Sequence, residues 1–340
     1  MPAPRERWID VVRGCCAIGV VLHHATALGA AQGWSHPVTD LLDAALSPFR
    51  MPLLMTISGL VLGGALAQPF GRFAIRRAQT LVWPYLVWSV VVLAATGGLV
   101  PAALLRIWTV APTYLWFLQF LAVFAIAAWL LRRLPTQALL LVAALSVTVS
   151  GFLPETHRAD RFAYLFGFFL LGVAARRWRP SGARATAVSV GGATAVVLLL
   201  IALAAGERVR YEAAAAPLVA LAVVALVALA RSRPFPGTRS RPRRRPVQDG
   251  LAHLGQNAVV PYVTHLVVLT GLLAAAGAAD ESRSWPAPVI VVTASAVAVL
   301  CGVAVIAARG HRAVAVLFEL PSRQRQVGSG PPASTSTRPG

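Results

Sequence analysis

The sequence contains no lysine: all 31 basic residues are arginine, set against only 12 acidic ones, for a formal net charge of +19 over 340 residues. Charge of either sign is scarce, at 13% of residues, while 57% are hydrophobic and the mean hydropathy is +0.68. That balance excludes a soluble domain and fits a polytopic helical membrane protein whose membrane lipids are its first partner. Cysteine is nearly absent as well. Cys15, Cys16 and Cys301 all lie in apolar runs, so neither a disulfide framework nor a zinc site is indicated. No metal and no nucleic-acid partner is expected, and no repeat of fixed period or appended soluble domain is detectable.

What is present is a succession of apolar segments, roughly 8–30, 43–66, 79–97, 113–131, 136–152, 162–176, 185–205, 212–230, 252–276 and 286–308. The expected fold class is therefore all-α, a transmembrane bundle of about ten spans in a cell membrane, taken to be a bacterial plasma membrane. The all-arginine usage reflects coding preference as much as chemistry, so the distribution of the arginines says more than any one of them. Placing both termini in the cytoplasm puts 23 arginines on the inner side and six on the outer, as the positive-inside rule asks. The first apolar run could be taken for a signal peptide, but Asp10, Arg13 and two histidines inside it argue against that. Residues 1–310 are expected to form one membrane domain. Its basic, proline-rich cytoplasmic loop at 231–250 would lie against anionic headgroups, capture of an anionic cofactor being the lesser alternative. Residues 311–340 would form a disordered cytoplasmic tail.

Ionisable side chains at membrane depth usually mark a functional site. The first segment holds three. On a helix Asp10, Arg13 and His24 fall within about 60° of one another, with Gly14 and Ala17 beside them. Arg13 and His24 are about 16 Å apart along the axis, Arg13 toward the cytoplasm and His24 deeper. His23 points about 100° away from His24, so the pair reads as one working residue and one neighbour. The second segment brings Arg50 to a depth comparable to His24 with no acid within a helical turn, and the ninth brings His265 about 20 Å from its inner end. Plainer readings stand beside these. Arg13 and Asp10 could simply neutralise each other, His265 could hydrogen-bond a neighbouring helix, and Ser58-Gly59 could serve helix packing rather than chemistry. The run Tyr114-Leu115-Trp116-Phe117 reads equally as an interfacial belt and as a site wall.

These residues resemble the acyltransferase 3 group of integral-membrane O-acyltransferases. Its first span typically reads Asp-x-x-Arg-Gly-x-Ala with a His eleven residues after the Arg. Asp10, Arg13, Gly14 and His24 match that spacing, with Cys16 in the Ala position. Phe49, Met51, Pro52, Leu53, Ser58 and Gly59 are similar to the second-span motif, where Arg50 replaces the commoner His and Leu54-Met55 an aromatic pair. Arg76, Arg77, Trp83, Pro84 and Tyr85 look like the family's basic loop and following Pro-Tyr. Leu115 through Leu118 looks like its Leu-Trp-Phe-Leu, and Leu254-Gly255 through Tyr262 and His265 like its closing motif, with Asn257 where Ser is usual. The resemblance covers about residues 7–308.

It implies transfer of an acyl group, acetyl in the simplest case, from acyl-CoA as a donor substrate rather than a resident cofactor. The acceptor would be a hydroxyl of a carbohydrate, a lipid-linked sugar or a glycosylated metabolite. In that picture His24 is the general base, Asp10 holds Arg13, and Arg50 faces the developing oxyanion. Arg13, Arg76 and Arg77 would meet the donor, while Ser58, Trp116, Phe117, Asn257, Tyr262 and His265 would line the substrate site. A covalent relay through Ser58 or a histidine fits the same residues. The rival is a transporter of an anionic or glycosylated small molecule using the same Arg/His cavity, although the inverted repeats and paired broken helices common in transporters are not detected.

Overall fold

The structure is a computed structural model that describes residues 6–176, 178, 180–207, 209–232, 246–279 and 285–320. Each of the ten apolar segments is largely helical: α1 (Arg7–Ala31), α2 (Pro37–Leu62), α3 (Phe70–Ala95), then, after the short α4 (Pro101–Arg106), α5 (Trp116–Arg133), α6 (Thr136–Ser150), α7 (Ala159–Ala175), α8 (Gly182–Ala204), α9 (Ala216–Ser232), α11 (Val259–Ala278) and α12 (Ala287–Ala308). One further helix, α10 (Pro246–Gln256), precedes α11. Seven helices are long and apolar enough to cross a membrane, and the protein is an all-α polytopic membrane protein. The other three of the ten, α6, α7 and α9, have 15 to 17 residues.

Helices α1 and α2 form the centre. α1 packs against α2, α10, α11 and α12, and α2 packs against α1, α7 and α9. Small residues allow these contacts, as expected where apolar burial alone does not distinguish helix from lipid. A β-carbon on Gly59 would lie 2.0 Å from the Phe169 carbonyl oxygen, and one on Gly172 would lie 1.9 Å from that of Thr56, so α2 and α7 touch backbone to backbone. Likewise Gly255 of α10 sits on the Asp10 carbonyl and Gly14 of α1 on the Leu251 carbonyl, at 1.8 and 2.2 Å for an added β-carbon. Pro48 and Pro52 lie inside α2, where each leaves the carbonyl four residues earlier without a helical donor.

Four expectations need correction. The ninth segment is not one helix from residue 252: the chain breaks at Asn257-Ala258, and α10 lies along the start of α1 while α11 carries His265. The basic stretch through Arg76 and Arg77 is the first two turns of α3, joined through a π-type turn at Ala78–Val82 to the rest of that helix, rather than a loop. The loop expected at 231–250 is helical from Pro246 onward, and residues 233–245 lie outside the described residues. The start of the expected tail also folds back. Phe318 is buried with its ring 5.8 Å from that of Trp88, and the indole N–H groups of Trp83 and Trp88 donate to the carbonyls of Val316 and Leu317. Residues 321–340 lie outside the described residues.

Candidate active site

α1 carries its polar groups at two levels. At its start Asp10, 1% exposed, accepts a hydrogen bond from the Gln256 amide across the α1/α10 contact at 3.2 Å. The glycine contacts at Gly14 and Gly255 hold that pairing in place, so α10 is a prop for the beginning of the motif. Asn257, at the break after α10, accepts from Arg309 at 3.0 Å and donates to the His253 carbonyl at 3.0 Å. Asn257 thus ties the start of α11 to the end of α12.

Three turns further along α1 the picture changes from packing to chemistry. The His24 ring centroid lies 5.1 Å from that of His265, 5.0 Å from His23 and 6.3 Å from Tyr114. His265 is fully buried, and its Nδ1–H donates to the Pro261 carbonyl at 3.0 Å. A carbonyl only accepts, so that bond places the proton on Nδ1 and leaves the lone pair on Nε2, which has no hydrogen-bond partner. The neighbouring wall is a clasp of two tyrosines. Tyr114 donates to the Val263 carbonyl at 2.5 Å, and Tyr262 donates to the Tyr114 carbonyl. Phe117 stacks on Tyr262 at 5.1 Å, while Trp116 turns to Phe120 at 5.2 Å.

His23 is more than a neighbour. Its Nδ1 lies 2.9 Å from Asp43, whose other oxygen accepts from Arg50 at 2.6 Å, and the Arg210 guanidinium reaches within 3.4 Å of its Nε2. Asp43 is therefore the acid that Arg50 appeared to lack, seven residues and two turns back along α2. Arg50 is 5% exposed and its stem runs beside Gly19, where a β-carbon would sit 3.6 Å from the Arg50 Cδ. An apolar groove of about 380 Å³ bounded by Cys16, Gly19, Phe49, Leu53 and Val223 includes Arg50 in its lining.

The expected site residues thus divide. His24, His265, Tyr262 and Phe117 come together; Arg50 adjoins them through Asp43 and His23. Asp10 and Arg13 belong to the beginning of α1. The Ser58 hydroxyl donates to the Leu54 carbonyl at 2.7 Å, one helical turn back. On α3, the Arg77 guanidinium lies 5.3 Å from the centre of the Phe73 ring and Arg76 is exposed. Sequence reasoning did not single out Asp43 or Arg210, and only the i, i+7 spacing of Asp43 and Arg50 on one helix face pointed to the former. Among the described residues no group of three His, Cys, Asp or Glu is placed to hold a metal.

The acyltransferase 3 family model, described as an acyltransferase domain, matches residues 6–307. The chain belongs to that family and is an acyltransferase, a transferase of the membrane. No curated protein and no solved structure matches it.

Proposed function

We propose that the protein moves an acyl group, acetyl in the simplest case, from acyl-CoA to a hydroxyl of a carbohydrate or glycosylated small molecule, with His24 as general base. The observation that carries this reading is the cluster in which His24 meets His265 and Tyr114, with a bare imidazole nitrogen on His265. The acceptor hydroxyl gives its proton to His24 as its oxygen bonds to the thioester carbon. The carbon–sulfur bond then breaks, and the proton passes to the leaving thiolate, so CoA departs as the free thiol. Arg50, in a water-poor position, faces the oxygen that gains charge, and the apolar groove it helps to line takes the acyl part.

Ten crossings with both termini inside would place Arg13, Arg76 and Arg77 on the donor's side and leave the acceptor to approach His24 from the outer side. Thiol release from radiolabelled acetyl-CoA, by purified protein in nanodiscs with a mixed pool of cell-envelope glycans, tests the reading. His24→Ala should lower label transfer by about 10²- to 10⁴-fold, the usual contribution of a positioned acid or base. Wild-type turnover by that variant would overturn the assignment of the base; absence of thiol release by folded wild-type protein, with solute uptake into vesicles, would favour a transporter.

A further inference from the structure

The three histidines of the site differ in how their ring nitrogens are held. His23 has both engaged: a carboxylate only accepts, so its Nδ1–H donates to Asp43 at 2.9 Å, and its Nε2 faces the Arg210 guanidinium at 3.4 Å. His265 has one engaged. Its Nδ1–H rests on the Pro261 carbonyl at 3.0 Å, while its Nε2, in a side chain with no exposed surface, is buried without a partner. His24 makes no hydrogen bond to any described residue, and its ring is only partly buried.

Buried polar atoms normally find partners, so the bare Nε2 of His265 asks for a donor. Among the described residues, the rings of His24, Tyr114 and Tyr262 stand 5.1, 5.1 and 6.0 Å from that of His265. Both tyrosines have already given their hydroxyl hydrogens to backbone carbonyls, which leaves the ring N–H of His24. The separation suits it. An N–H···N bond of about 2.9 Å between two imidazoles sets their centres about 5 Å apart. A turn of the His24 ring about its broad terminal torsion closes that bond, and no existing hydrogen bond of His24 opposes the turn.

We propose that His265 is a positioning residue for the transfer: its Nε2 accepts the ring N–H of His24 and so turns the other, lone-pair nitrogen of His24 toward the acceptor hydroxyl. The proposal rests on the acyl-transfer reading above, with His24 as the base. When the acceptor oxygen bonds to the thioester carbon, its proton goes to that free nitrogen. The imidazolium so formed keeps its second N–H on His265, whose own N–H stays on the Pro261 carbonyl, so the new charge is shared along a chain of hydrogen bonds. The carbon–sulfur bond breaks, the thiolate takes the proton from His24, and both rings return to their starting state. Asp43, the carboxylate nearby, is not needed for this, since His23 and Arg50 already occupy it.

Two readouts test the arrangement, both on purified protein in nanodiscs. In label transfer from acetyl-CoA to the pool of cell-envelope glycans, His265→Leu should lower kcat about 10²-fold, the order that a misplaced reacting group costs, with KM for acetyl-CoA within about twofold of wild type. His265→Gln, whose amide oxygen can accept the same N–H, should recover about tenfold of that loss. In ring-nitrogen NMR with isotope-labelled histidine, the His24 signals, assigned by their loss in His24→Ala, should report one tautomer in the wild type and in His265→Gln and a mixture in His265→Leu. Unchanged kcat in His265→Leu, or a glycan concentration for half-saturation that rises while kcat holds, would overturn the proposal. So would a glutamine variant no better than the leucine one. If neither variant folds, the wild-type spectrum decides, and mixed tautomers there reject the proposal. Absence of thiol release by folded wild type would fail the acyl-transfer reading and leave the tautomer result standing; thiol release that ignores His265 would do the reverse.

Discussion

The two ends of α1 present the same kinds of residue and use them differently. At its beginning, Asp10 and Gly14 press against α10, and the Gln256 amide meets a carboxylate that is almost wholly buried. At the other end His23 and His24 meet side chains, Asp43, Arg210, His265 and Tyr114, rather than a backbone. The lesson is that one motif on one helix holds two devices, an anchor and a reaction centre, about 16 Å apart. Substitutions at one end should therefore change stability and at the other turnover.

The sharpest way to break that division is His24→Ala, which should remove transfer while the unfolding temperature stays put; a variant that fails to fold would show that the histidines are structural too. Next is Asp43→Asn. It leaves the Arg50 guanidinium buried without its counter-ion, and removing one partner of such a pair destabilises by about 3 kcal/mol. Adding Arg50→Gln to it should restore much of the loss, as measured by thermal unfolding; no recovery in the double variant would deny that the pair acts as a unit. At the anchor end, Gly255→Ala forces a methyl into the Asp10 carbonyl and should destabilise by about 1–3 kcal/mol. The turnover of whatever fraction remains folded should be unchanged, and a fall in turnover per folded molecule would mean that the anchor also sets the geometry at His24. The smallest effect belongs to Asn257→Ala. It loses the hydrogen bond from Arg309 and should lower stability by ~1–2 kcal/mol, with no change in acceptor preference.

Much of this was legible in the residues themselves. Hydropathy located the ten helices, because the apolar stretches are long and the charges between them sparse. Their places as ionisable residues inside apolar runs singled out His24 and His265, and the helical rise set them at similar depths; their rings lie 5.1 Å apart. What stayed hidden needs three dimensions. The break at Asn257 falls inside an apolar run, so hydropathy ran straight through it, its one local sign being Pro261 in the first turn of α11. The partnership of Asp43 with both Arg50 and His23 depends on how α1 and α2 cross, and Arg210 arrives from a connection 187 residues beyond His23. Tyr114 was visible only as one member of an aromatic run, with nothing to distinguish a lipid-facing belt from a chamber wall.

The tyrosine clasp has a consequence for motion. Tyr114 and Tyr262 each lend a hydroxyl to backbone on the other's segment, across 149 and 148 residues of chain. Neither the start of α5 nor the first turns of α11 can swing outward alone, since doing so leaves a carbonyl and a phenol stranded where no water replaces them. The wall that carries His265 is therefore pinned to the start of α5 at two points, and a motion that admits a substrate has to carry those two segments together.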